Sequence, residues 1–208
     1  MDAGSIINKV KTKLDELTPF NEGLVVTDIS YTDLTYQYIA NVLDESVYDL
    51  LMISPVGILP LTDLIIIPGF TNIDNVLHEF LPDDCIRVAS VKLPVWNREV
   101  TKFITPESVN YSLQSNKWTR GSVSRPQVVL AGTSLVDKYI DCYSSDGYTP
   151  ALNDKIGKYV KILSADLIPA NLIDPLTWLM ASKVLLIFEK EKLSEFANKE
   201  FQKSLMLR

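Results

Sequence analysis

The sequence predicts an α+β protein, with helices at both termini packed on a central antiparallel β region that carries a long exposed loop. Three observations lead there. Apolar residues recur at three- and four-residue steps near both ends of the chain. Residues 76–163 read instead as short β-branched runs separated by turn formers. Inside that region, residues 105–125, TPESVNYSLQSNKWTRGSVSR, are polar and rich in turn residues, as an exposed loop with a helical turn after Pro106 would be.

The elements follow in order. Residues 5–17 form an amphipathic helix with Ile6, Ile7, Val10, Leu14 and Leu17 on one side, ended by Pro19 and Gly23. A second helix spans 32–53, with Leu34, Ile39, Val42, Leu43, Val47, Leu50 and Leu51 as its stripe, and Ser54-Pro55 stops it. Residues 56–69 are apolar but broken by Pro60 and Pro68, leaving 64–67 as a short strand. Further strands are predicted at 76–80, 86–93, 100–104, 128–130, 135–143 and 159–163. Pro82-Asp83-Asp84, Gly132-Thr133-Ser134 and Asp146-Gly147 supply turns, and 128–130 with 135–143 reads as a hairpin.

At the C-terminal end, Asp174-Pro175 signals a helix start. Leu176, Leu179, Met180, Val184, Leu185 and Phe188 make one stripe, and Leu193, Phe196, Ala197, Phe201 and Leu205 a second in a different register. Two helices bent near 189–192 explain the slip, with Leu179, Leu185, Phe188, Phe196 and Phe201 largely buried. The whole is one unit over 1–208, made of N-terminal helices (1–55), a β-rich middle (56–163) and a helical pair (171–208).

With 208 residues, 47% hydrophobic and 22% charged, the chain can bury a sizeable core. The charge-free apolar run 50–62 has thirteen residues and two prolines. A bilayer span needs about 20, so no membrane segment is expected. No secretory signal is read at the N-terminus. Cys85 and Cys142 fit no metal or redox spacing and are expected to be reduced, buried thiols. Charge is segregated along the chain. Residues 1–85 hold fourteen acidic against three basic residues, and 86–128 hold seven basic against two acidic. Copies with such a layout could attract head to tail, unless folding remixes the segments.

Catalytic chemistry finds no support. His78 is the only histidine and has no nucleophile motif near it. Asp15-Glu16, Asp44-Glu45 and Asp83-Asp84 suit helix ends and turns, and the eight glycines form no phosphate-cradling loop. An enzyme is not expected, nor a metal or cofactor site. The candidate functional surface is the loop carrying Tyr111, Lys117, Trp118, Arg120 and Arg125. Aromatic and basic residues interleaved in this way suit a protein interface. They would equally serve a nucleic-acid-binding module over residues 111–125, which the sequence pI of about 4.9 disfavours.

A Leu-Pro-Asp-Asp turn leads a strand ending near Trp96 and Arg98. Asn116, Thr119, Arg120 and Gly121 then precede Arg125-Pro126 and a strand, and the chain closes on a helical pair with Pro175 and Ala181 in its first helix. Over residues 81–205 this order resembles the head–tail connector (ring, or adaptor) proteins of short-tailed bacteriophages, nearest to the ring proteins of the crAss-like phages. The proline-broken segment 56–69 has no counterpart in that pattern, and the helical pair lacks a glycine at its bend. The resemblance implies a non-enzymatic virion protein, made in the host cytoplasm and present in many copies as a ring below the portal. Its partners would be copies of itself, the portal protein and other tail or ring proteins. Genomic DNA would pass through the channel without sequence-specific binding.

Overall fold

The structure, a computed structural model, describes residues 2–17, 29–132 and 138–206, without the side chains of 29–34. The α+β class is borne out: helices lie at both ends of the chain, with two antiparallel sheets between them. Two compact units result. One combines Met1–Pro60 with Ile162–Arg208, and the other is Leu61–Lys161.

In the first unit, α1 (Ala3–Leu17) buries Ile6, Ile7, Val10 and Leu14 as its spacing requires. Asp2 starts it by accepting the amide of Ser5 on its carboxylate at 3.0 Å. The single helix expected over 32–53 is two, α2 (Ile29–Asn41) and α3 (Leu43–Ile53). Val42, at φ −86° and ψ −5°, tightens the turn between them, and Asp44 and Glu45 favour a fresh N-terminus just behind it. The apolar stripe survives, with Ile39, Val42, Leu43, Val47, Leu50 and Leu51 buried. Leu34 of that stripe, and Pro19 and Gly23, fall outside what is described.

Helix α4 (Ala170–Ile187) begins a turn before the expected Asp174-Pro175 start, behind Pro169. Pro175 therefore lies inside the helix, where it forfeits one backbone hydrogen bond. The burial of Leu172 and Ile173 in the added turn favours this arrangement. With α1, α2, α3 and α5 all packed on it, α4 is the core of its unit. It is also long and apolar enough to cross a membrane, contrary to the reading from residues 50–62, but 61% of it is buried. Lys13 holds α1 to α4 through Asp174 at 2.8 Å and the Trp178 ring at 3.6 Å. Lys183 holds α4 to α3 through Glu45 at 2.6 Å and Asp49 at 2.5 Å.

The bend before α5 (Glu191–Met206) falls where the register slip put it. Glu189, at φ 59°, takes the left-handed position usually given to glycine. The amide of Glu189 bonds to the carbonyl of Leu186 at 3.0 Å, and that of Lys190 to Leu185 at 2.9 Å. Beyond the bend, Ser182 and Ser194 clasp the two helices with reciprocal bonds to each other's carbonyls, at 3.2 and 2.9 Å. Phe201 is buried as expected, but Phe196 is 46% exposed and Phe188 only half-buried. Ser194 and Ala197 hold the buried face instead, because the close serine clasp leaves room only for small residues there.

In the second unit, one sheet has the order β1 (Leu61–Ile65), β7 (Lys155–Lys161), β4 (Cys85–Val91). The other has β2 (Thr71–Ile73), β3 (Val76–Phe80), β6 (Tyr139–Tyr143), β5 (Gln127–Ala131). All pairings are antiparallel, and the expected hairpin is the β5–β6 pair, although 133–137 fall outside the described residues. Both sheets supply one core, with Leu64, Val88, Val91 and Ile156 from the first and Leu77, Val128, Ile140 and Cys142 from the second. Four details depart from expectation. The strand expected at 64–67 ends at Ile65, and β7 starts at Lys155, four residues early. Residues 100–104 form no strand, only single bridges of Val100 to Val91 and of Ile104 to Val129. Strand β2, exposed at every position, has no buried row to betray it; it is set by the Asp74-Asn75 turn, both residues left-handed, at φ 52° and 60°.

Candidate interaction surface

The loop 105–125 is built from a succession of tight turns, the first of them at Pro106. Amide-to-carbonyl bonds close turns from Ser108 to Thr105, Tyr111 to Ser108 and Gln114 to Tyr111, and a short 3-10 turn covers Ser112–Ser115. Gln114 is the buried hub. Its amide donates to the carbonyl of Asn110 at 3.1 Å, and its side-chain oxygen accepts the Gly121 N–H at 3.1 Å. The side-chain oxygen of Asn116 accepts the amide of Trp118 at 2.9 Å, and the Thr119 hydroxyl donates to Leu113 at 2.7 Å. Gly121 accepts from the Ser144 hydroxyl, and a Cβ there would lie 2.8 Å from the amide nitrogen of Gln127. The Trp96 indole in turn donates to the Ser144 carbonyl at 2.8 Å. Asn116, Thr119 and Gly121 therefore shape the loop's backbone, although Asn116 and Thr119 remain exposed.

The five predicted residues sit on this scaffold in three ways. Trp118 is 87% exposed, with the Lys117 ammonium 5.6 Å from its ring centre. Tyr111 and Arg120 are near enough to Tyr143 of β6 to act on it electrostatically. Burial and Asp141 raise the Tyr143 hydroxyl to about 12, with Tyr111 adding to the rise and Arg120 opposing it. Arg125 stands apart on a turn closed by reciprocal bonds of Ser122 and Arg125 at 3.0 and 2.9 Å. Lys117, Arg120 and Arg125 take no part in the ion pairs found among the described residues.

Two exposed aliphatic residues extend the surface and were missed from sequence, Val109 at 88% exposure and Leu113. Their signal was there: apolar residues in a polar loop with no periodic partner. On the sheet face that carries Tyr143, His78 pairs with Asp141 at 2.7 Å, meets the Phe80 ring edge-to-face and leans on the Tyr139 ring. With Thr71, Ile73 and Val76, His78 and Phe80 line an open depression of about 570 Å³. Among the described residues no group of three or more His, Cys, Asp or Glu is placed to hold a metal ion.

The charge layout is remixed by folding. The helical unit, 1–60 with 162–208, holds fifteen acidic and nine basic residues, a balance of −6. The β unit, 61–161, holds eleven of each and is neutral. No known protein family matches the sequence, and a search of curated proteins returns no match.

Proposed function

We propose that this chain is a structural, non-enzymatic subunit of a phage head-to-tail connector, assembled as a ring of copies below the portal in the virion. The class of assembly rests on the likeness of residues 81–205 to those connector proteins. The single observation that carries a docking role is Trp118, almost fully exposed on a loop pinned by side-chain-to-backbone bonds, with Lys117 beside its ring. Arg120 and Arg125, elsewhere on the loop, join no ion pair among the described residues. A rigid aromatic anchor loses little freedom when it docks, so more of its burial is realised as binding. Its counterpart on the neighbouring copy is the acidic helical unit, and the loop's arginines can grip carboxylates bidentately.

Exposed ion pairs contribute only about 0–1 kcal/mol each, so the test reverses two charges at once. Arg120→Glu with Arg125→Glu should impair assembly, read by mass in solution, and Trp118→Ala should do the same at every salt concentration. Both variants should keep the circular dichroism and melting of the folded monomer. Intact assembly of both at ordinary salt would refute the docking role. Normal assembly with loss of DNA retention would turn the loop toward nucleic acid.

A further inference from the structure

Among the described residues, Glu79 is the only carboxylate, lysine or arginine that is fully buried, at 0% exposure. Strand β3 alternates, so Leu77 and Glu79 face the core while His78 faces outward. Across the ladder stand Ile140 and, beside it, Cys142 of β6. One Glu79 oxygen, Oε1, accepts the Ile67 amide at 2.8 Å; the other, Oε2, is buried with no hydrogen-bond partner among the described residues. Ile67 lies on the crossover that leaves β1 in one sheet for β2 in the other. Its neighbour Ile66 is tied to Asp154 and Asn153 by backbone bonds of 2.9 and 3.0 Å. Glu79 is thus the side chain by which the second sheet holds the chain arriving from the first.

Among the described residues, the groups around it offer no counter-charge. From β6 comes the Cys142 thiol, which burial pushes far up, so it stays neutral. From the turn after β6 comes Tyr148, also pushed up by burial, whose hydroxyl donates to Asp154 at 2.7 Å. Asp154 is a further negative group beyond it, and the crossover supplies only an amide. The His78–Asp141 pair is on the opposite face of the sheet. A carboxylate there would keep one hydrogen bond and leave an oxygen dry, which is disfavoured.

We propose that Glu79 is a proton-operated latch: as the neutral acid it lets the crossover 66–70 close on the core, and as the carboxylate it draws water in and lifts the crossover. Burial is the main cause that raises the Glu79 acid to about 7, with the Ile67 amide opposing. A folded value above the unfolded one gives stability that is complete below about pH 4.3 and is lost as pH rises through about 7. Linkage over that interval makes opening about thirtyfold easier at pH 8 than at pH 5.5.

The measurement is hydrogen exchange of the Ile67 amide in the full chain, corrected for the intrinsic pH dependence of exchange. Wild-type protection should fall about thirtyfold from pH 5.5 to pH 8. Glu79→Gln, which keeps the acceptor and cannot ionise, should hold protection constant over the same range. Constant protection in the wild type, or an unchanged fall in the variant, overturns the latch. Should the variant fail to fold, the carbon-13 titration of Glu79 in the wild type decides. A midpoint near neutrality supports the latch, and one below about pH 5 overturns it.

Discussion

Helix α5 offers a comparison within one element, because its two phenylalanines have opposite environments. Phe201 is 1% exposed, whereas Phe196, five residues earlier, faces solvent with half of its surface. Truncating Phe201 to alanine withdraws about 150 Å² of buried apolar surface, which at about 25 cal/mol per Å² is roughly 4 kcal/mol. A buried Phe→Ala change costs about 3–5 kcal/mol, the cavity included. At Phe196 only about half that surface is lost, and the gap opens to water rather than to a cavity, so the cost is up to about 2 kcal/mol. The assay is urea unfolding followed by helical circular dichroism, which reads the unit containing α5. The prediction is that Phe201→Ala destabilises by at least about 2 kcal/mol more than Phe196→Ala. Equal losses would show that the helix is rotated about its axis from the placement described, and the inward role of Ser194 and Ala197 would fall with it.

Two further expectations test the bend and the thiols. Glu189 occupies a left-handed position, so Glu189→Gly should raise stability by about 0.5–1 kcal/mol in the same unfolding assay; a loss of stability would count against the helix-ending turn. Burial raises the thiols of Cys85, to about 11, and of Cys142 further. Neither should react with a thiol reagent at pH 8 until the protein is unfolded, and fast labelling of native protein would contradict that burial.

What could be read from the residues was periodicity. The stripes of α1, α3 and α4 were legible because a buried face must repeat every three to four residues. The strands β3, β4 and β5 were legible as β-branched runs between turn signals. Where the reading failed, burial or a local turn overrode the signal. Asp174-Pro175 looks like a helix start, but Leu172 and Ile173 bury a turn earlier and carry the helix with them. Strand β2 has no inward row to reveal, so only Asp74-Asn75 could have marked it. The loop's residue types marked it as a candidate interface, but not the hidden role of Gln114, a polar residue among many in that stretch. Glu79 was invisible for a different reason: its alternation places it inward, and an acid in that row reads from sequence as an error of register.

The arrangement of the two units has a consequence for how the chain is made. The β unit is an insertion, since its incoming and outgoing strands are neighbours, with Leu61 of β1 opposite Val160 of β7. On the ribosome it can close on itself as soon as Lys161 has emerged. The N-terminal helices cannot, because α1 and α3 pack mainly on α4, which is synthesised only after the whole β unit. Their apolar faces must therefore wait through more than a hundred residues of synthesis, at about 5–20 residues per second. Slowing translation within 61–161 should lengthen that exposure and raise the demand for chaperones without altering the finished protein.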